Sequence, residues 1–266
     1  MTTNMNMLRT KHIVSFSGGL GSWAAAKRVA AKFGTENLYL VFTDTLIEDE
    51  DLYRFLEEAA ENVGGKLIKL ADGRNPWEVF KDKRYMGNTR IAHCSQELKS
   101  KPFQKWLKEQ DFDDFIVYLG IDWTEENRLT AHRKHVDHQV EAPLCEAPFL
   151  NKRDVLELLE SEGIELPKLY KMGFSHNNCG GGCVKAGQGQ WAMLYKQMPE
   201  RYQWFEDQQE ALMTDVPTAR PFLRVTESGD LKYFSLKDYR QKFLEKNVTV
   251  DMFDIGGCGC FLEDES

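Results

Sequence analysis

No apolar run in this sequence approaches the ~20 residues that span a bilayer. The stretch from Met1 to Lys11 is polar and shows no apolar segment ahead of a cleavage-like site, so a cytoplasmic protein with no membrane partner is expected. Internal repeats and long low-complexity linkers are also absent. The six cysteines come without an export signal, and a thiol-reducing cytoplasm excludes a disulfide framework for them, which turns attention to metal or redox chemistry. A net charge of −8 argues against a surface that coats nucleic acid. What is present, 42% hydrophobic and 12% aromatic content over 266 residues, is enough to bury a full core.

The sharpest stretch runs from His12 to Phe33: an apolar strand with Ile13, Val14 and Phe16, a turn with Gly18, Gly19 and Gly21, and an alanine-rich helix from about Trp23. Glycines let a ligand approach the main chain, Ser17 and Ser22 add hydroxyls, and a helix start aims its N–H groups and positive dipole end at the turn. Such a turn can cradle phosphate or sulfate. The Gly-Lys-Ser/Thr ending of a Walker loop and the Gly-x-Gly-x-x-Gly spacing of a dinucleotide turn are both missing, so neither fingerprint applies.

Residues 38–43 and 66–70 read as buried strands around a helix over 50–63, and 115–119 as a fourth strand followed by Gly120. The alternation implies an α/β fold with a doubly wound, mostly parallel sheet and ligands at the carboxyl ends of its strands, where Ser17–Ser22 and Asp44 fall. Gln96 to Lys108 is a helix candidate whose true start Pro102 places near 101–102. A helical pattern covers about 125–140, and Asn151 caps a helix over 152–162. Helices follow over about 184–198 and 199–213, with Trp191, Leu194 and Met198 as core, and short strands and a helix mix over 219–255. The division is a nucleotide-binding sheet domain over 1–165 and a helical, cysteine-containing region over 166–266. Charge is segregated: residues 66–108 hold eleven Lys and Arg against four acids, while 44–61 hold eight acids and one base. The basic block either lines an anionic pocket, with Lys83, Arg84, Arg90 and Lys99 facing the turn, or is a solvated face.

Cys179-x3-Cys183 and Cys258-x-Cys260 are glycine-flanked pairs whose four thiolates suit zinc or a [4Fe–4S] cluster equally well. A shared metal would tie the C-terminal tail to the Cys179 loop. Cys94 is a fifth candidate among basic neighbours, and Cys145, beside apolar residues, reads as structural. His132, His135 and His138 recur at steps of three that drift around a helix, with Arg133 and Lys134 between them, which disfavours ligation. His176 is a second-sphere or loop residue.

Taken in order, Ser15-Phe-Ser-Gly-Gly-Leu-Gly-Ser22, Phe42-Thr-Asp-Thr45, Cys94-x4-Lys99-x2-Pro102, Leu119-Gly-Ile121 with Arg128, Pro148 through Leu169-Tyr170-x2-Gly173, and the Cys179/Cys183 pair resemble the phosphoadenylyl-sulfate reductase family. That family belongs to the PP-loop ATP-pyrophosphatase superfamily, and the likeness is greatest to divergent members from phages and mobile elements. The resemblance implies that Ser17, Gly18, Gly19, Gly21 and Ser22 hold the anionic end of an adenine nucleotide (ATP or a sulfonucleotide), that Asp44 approaches the adenosine, and that Gly120, Arg128 and Lys99 join the binding site. It implies Cys94, Cys179 and Cys183 as [4Fe–4S] ligands. His93 stands where a tandem cysteine would be, which leaves a fourth ligand to Cys258 or Cys260. Gly21 replaces the aspartate of ATP-cleaving relatives, Asp122 stands where reductases tend to carry arginine, and the tail motif Glu-Cys-Gly-x-His is absent.

The function expected is an adenine-nucleotide-dependent enzyme of sulfur chemistry nearest to a sulfonucleotide reductase, with Cys258 or Cys260 as nucleophile and a thiol reductant protein as partner. A second expectation is an ATP-dependent sulfur transferase acting on a nucleic acid or small acceptor. A third is a non-catalytic nucleotide- or metal-binding interaction protein.

Overall fold

A computed structural model describes residues 10–88, 90–227 and 229–257. Its centre is a five-stranded sheet made of β1 (Lys11–Ser15), β2 (Leu38–Asp44), β3 (Lys66–Ala71), β4 (Phe115–Tyr118) and β5 (Val140–Glu141), in the order β3-β2-β1-β4-β5. Every pairing in it is parallel. Continuous apolar strands, buried on both faces, are what such a sheet requires, and Leu40, Val41 and Phe42 are each almost fully buried. The chain winds outward from β1 to β3, then returns to place β4 on the other side of β1. The reversal opens a crevice at the carboxyl ends of β1 and β4.

Helices α1 (Leu20–Phe33), α2 (Glu50–Val63) and α6 (Lys152–Ser161) cover one face, where Phe16, Trp23, Phe55 and Leu159 form a core. Asp49 caps α2, and a full capping box at Asn151 starts α6 as its sequence indicates. The other face is covered by α4 (Lys101–Glu109) and α5 (Glu126–Arg133), with Phe103, Trp106 and Leu129 packed on Ile13 and Val117. Between α2 and α4 on the chain lies α3 (Pro76–Lys83), capped by Asn75.

Several boundaries differ from the sequence reading. The helical path into α4 begins at His93 rather than near Pro102, because residues Gln96–Ser100 adopt a π turn in which Lys101 N–H bonds to the Gln96 carbonyl. Widening the turn there lets Pro102, which has no N–H to give, ride inside the helix. Helix α5 stops at Arg133, and Val140 belongs to β5, where its partner is Val117. Helix α1 starts at Leu20, closer to the glycines than expected.

After the short α7 (Lys168–Lys171), the C-terminal region contains α8 (Gln188–Gln197), α9 (Pro199–Asp215), the antiparallel hairpin β6 (Leu223–Glu227) and β7 (Asp230–Phe234), and α10 (Leu236–Tyr239), which continues as a π turn over Arg240–Leu244. Residues 184–187 are not helical. Trp191 and Leu194 are core residues, as read from the sequence. Their cluster also takes in Ile47, Trp77, Phe80 and Met86 from the sheet-bearing part of the chain.

Candidate nucleotide site and cysteine loop

The β1–α1 turn sits in the crevice where the strand order reverses. Gly18 takes φ +73°, a left-handed conformation that side chains resist, and its carbonyl accepts a bond from the buried Asn177 side chain at 3.1 Å. Ser22 is buried and donates to the Gly19 carbonyl at 2.9 Å, while Ser17 Oγ donates to Ser22 Oγ at 3.3 Å. Gly19 is the N-cap of α1 and supplies no side-chain cap. Tyr170, from α7, brings its hydroxyl 3.4 Å from the Leu20 N–H.

Gly21 and Gly120 explain each other. A Cβ on Gly21 would lie 2.7 Å from the Gly120 carbonyl oxygen, and one on Gly120 would lie 2.6 Å from the Ser22 nitrogen. The end of β4 therefore presses main chain against main chain at the start of α1. Gly21 therefore has a steric reason to be glycine.

Asp44 ends β2 as expected, and its carboxylate is engaged by the Leu46 N–H at 2.8 Å and the Tyr53 hydroxyl at 2.9 and 3.1 Å. Burial, together with that carboxylate, pushes the Tyr53 phenol well above its ordinary range. Lys99 is buried within the π turn, and Arg128 pairs with Glu125 at the start of α5. Several bases of the 66–108 block are matched to acids. Glu97, 8% exposed, receives Lys101 at 2.7 Å and Lys83 at 2.8 Å, with Arg74 at 3.6 Å. Burial alone would raise its carboxyl, but these bonds hold it down at about 2. Arg84 closes α3 at φ +51°, and Arg90 is exposed.

Beside the turn lies the cysteine loop. Cys179 takes φ +56° and donates its N–H to Glu48, whose other carboxylate oxygen accepts from Thr45 at 2.8 Å. This buried carboxylate joins the loop after β2 to the cysteines. From α9, Arg201 donates to the Ile47 carbonyl and stacks 5.0 Å from the Trp204 ring and 5.2 Å from that of Phe205. Burial lowers the Arg201 guanidinium, and Asp49, Glu48 and Cys179 act against that lowering. Cys183 Sγ accepts the Lys185 N–H at 3.4 Å.

Cys179 and Cys183 are buried in one core against which Cys94 packs, yet among the described residues no three or more His, Cys, Asp or Glu side chains are placed to hold a metal ion. Cys94, Cys179 and Cys183, the [4Fe–4S] ligands that the resemblance implies, thus do not form a metal-holding group by themselves. Cys258 and Cys260 lie outside the described residues. Cys145 donates to the Ile121 carbonyl at 3.6 Å, and burial raises its thiol. His132, His135 and His138 line a cavity of about 490 Å3 with Phe115, at the amino end of β4, away from the nucleotide crevice. His132 is pushed down to about 4 by burial, with His138 and His135 adding to the effect.

Tyr53, Asn177, Glu48 and Arg201 were not singled out from sequence, and Tyr170 carried no role there. Arg201 had one signal: a base in the first turn of a helix opposes the helix dipole, which asks for an acidic partner nearby.

An open, parallel, doubly wound sheet with a glycine turn at its switch point defines a Rossmann-like α/β class. The chain belongs to the phosphoadenosine phosphosulfate reductase domain family, whose model matches residues 11–179. An uncharacterized protein from Methanocaldococcus jannaschii is 28% identical over 198 residues, which is 73% of this chain and 40% of the relative. The chain therefore spans about two fifths of that relative's length. Among solved structures, a phosphoadenylyl-sulfate reductase from Candida auris in a phosphate complex aligns with a TM-score of 0.45 and 14% identity, over 65% of this chain and 83% of that one. No helix among the described residues is long and apolar enough to cross a membrane.

Proposed function

We propose that the Ser17–Ser22 turn holds the sulfate or phosphate end of an adenine nucleotide and that the chain performs sulfonucleotide chemistry, nearest to a reductase. The observation that carries this reading is the start of α1: a helix of 14 residues opens onto the crevice with a glycine N-cap and no side-chain cap. Orphan N–H groups and the positive dipole end favour an anion there. Family membership narrows the anion to an adenine nucleotide.

In the reaction envisaged, a cysteine thiolate attacks the sulfur of the sulfonucleotide. The sulfur–oxygen bond to phosphate breaks, the nucleotide departs with the electron pair, and the sulfonate stays on the cysteine. A second thiolate then attacks that cysteine's sulfur, which forms a disulfide and releases sulfite. A thiol reductant protein returns the disulfide to two thiols. Cys258 and Cys260 are the proposed nucleophile and resolving candidates, and no step runs through a metal. Asp44 is proposed to meet the adenosine side, with Lys99 and Arg128 as further contacts.

The test is product analysis with 3′-phosphoadenylyl sulfate, adenylyl sulfate and ATP, each with a dithiol reductant. Sulfite release that depends on Ser17 and Ser22 supports the reductase. Pyrophosphate release from ATP in place of sulfite would move the assignment to a sulfur transferase, the reading that admits a nucleic acid acceptor. Nucleotide binding without either product would leave a binding protein.

A further inference from the structure

Helix α8 also starts behind a glycine, Gly187, which can provide no side-chain cap. Its first two amides are nevertheless satisfied. Gln188 N–H donates to Asp254 Oδ2 at 3.2 Å, and Gly189 N–H donates to the Asp254 carbonyl at 2.9 Å. Around this point residues 251–257 form a strap. Asp251 N–H reaches Gln188 Oε1 at 3.4 Å, Gly256 makes an antiparallel bridge with Ala186, and Gly257 N–H donates to the Lys185 carbonyl at 3.3 Å.

The groove under the strap is built from absent side chains. A Cβ on Gly187 would lie 2.1 Å from Asp254 Oδ1, one on Gly189 2.5 Å from the Met252 carbonyl oxygen, and one on Gly256 2.3 Å from the Lys185 carbonyl oxygen. Apolar contact is not what holds the strap down, because Met252, Phe253 and Ile255 are 49%, 93% and 42% exposed. Main-chain bonds and the Asp254 carboxylate do that work. Lys185 links both ends of the arrangement: its N–H goes to Cys183 Sγ and its carbonyl takes Gly257 N–H. The residue after Gly257 in the sequence is Cys258.

We propose that Asp254 is a positioning residue, which latches the strap onto the N-terminus of α8 and so commits the chain leading to Cys258 to the side of the Cys179–Cys183 loop. A carboxylate at a helix N-terminus gains both the orphan N–H bonds and the dipole. The inference rests on the proposed function only for its purpose, since the docking is a property of the described contacts.

The test uses the full chain and two readouts that need no activity. In hydrogen exchange, the Gln188 and Gly189 amides should exchange about tenfold faster in Asp254→Ala than in wild type, the scale of a lost N-cap. In cross-linking, diamide accepts two electrons and two protons from a thiol pair, and peptide mapping should recover a disulfide joining Cys179 or Cys183 to Cys258 or Cys260. That product should form at least about fivefold more slowly in Asp254→Ala. Gly189→Ala strengthens the helix while pushing on Met252, so slower cross-linking there separates strap release from helix fraying. Phe253→Ala should match wild type. No cross-link in wild type, or unchanged exchange and cross-linking in Asp254→Ala, would overturn the proposal. Lost sulfite release with an intact cross-link would count against the proposed reaction and leave the latch standing.

Discussion

Helix α1 begins behind Gly19 with no side-chain cap, whereas α8 begins behind Gly187 and receives Asp254 from 66 positions further along the chain. Both helix starts carry glycines that let another main chain approach, Gly21 in the first turn of α1 and Gly187 and Gly189 at α8. At α1 the approaching chain is Gly120, which makes room for the turn without supplying an acceptor to the helix amides, and the acceptor of the first amide, Leu20 N–H, is the neutral Tyr170 hydroxyl at 3.4 Å. At α8 the approaching chain carries its own carboxylate. The same local physics, orphan N–H groups at the positive end of a dipole, is left open in one place and closed in the other. A glycine turn is therefore a candidate anion site only when no acid of the same protein already fills it.

The largest expected effect comes from adding one methyl group where α1 has no space. Gly120→Ala would place its Cβ 2.6 Å from Ser22 N and 2.7 Å from Gly21 C, both backbone atoms that cannot swing aside. Overpacking of this kind costs about 1–3 kcal/mol, which thermal denaturation should show as a fall of several degrees, on the order of 2–4 °C per kcal/mol. Nucleotide or sulfate binding, measured by titration calorimetry, should be lost with it. The matching change at the closed site, Gly187→Ala, should cost less than about 1 kcal/mol, because a strap whose Met252, Phe253 and Ile255 side chains are exposed can lift away. Equal losses at the two sites would mean that both approaches are equally rigid, and the contrast would fail.

A second experiment closes the open site by design. Gly19 has φ −108° and ψ 163°, which any residue accepts, and a Cβ there would meet nothing closer than 3.4 Å. Gly19→Asp should cap α1 and stabilise the protein by about 0.5 kcal/mol. The same carboxylate should repel a bound phosphate or sulfate by about 1–4 kcal/mol at 4 Å, which weakens binding by about fivefold or more. Stability and affinity are expected to move in opposite directions. A variant that binds sulfate as well as wild type would show that the anion does not sit at this helix start.

Much of the open site was legible because its signals are local. A strand, three glycines, three serines and an apolar helix lie within His12–Phe33, and the capping residues Asp49, Asn75 and Asn151 stand next to the helices they start. What failed to show in the sequence depends on distant partners. Gly21 reads as a departure from a pattern until Gly120 is seen against it, 99 residues away in sequence but with its carbonyl oxygen 2.7 Å from where a Cβ on Gly21 would stand. The helical pattern over 125–140 hid β5, because a two-residue strand is too short to display a period of its own and exists only through pairing with Val117 and Tyr118. Pro102 pointed to a helix start since the π turn that accommodates it has no simple sequence signature. From sequence the tail reads as one that a shared metal would order; its described part, through Gly257, is docked by main-chain bonds and the Asp254 carboxylate onto residues 185–189, which the sequence shows only as the start of a helix.

The smallest expected effect separates charge from hydrogen bonding at the closed site. Asp254→Asn keeps an oxygen that can accept the Gln188 N–H and removes the negative charge opposite the dipole of α8. A charge at a partly exposed helix end is worth about 0.3–1 kcal/mol, so Gly189 amide exchange should accelerate only about two- to fivefold, well short of the alanine variant. Salt then provides the check. Raising ionic strength from about 0.1 to 1 M shortens the Debye length from about 10 to 3 Å, so wild type should converge on the asparagine variant at high salt, while the asparagine variant itself should change little. If wild type and Asp254→Asn exchange alike at low salt, charge contributes nothing at α8, and the case for an anion at the corresponding start of α1 must rest on its hydrogen bonds alone.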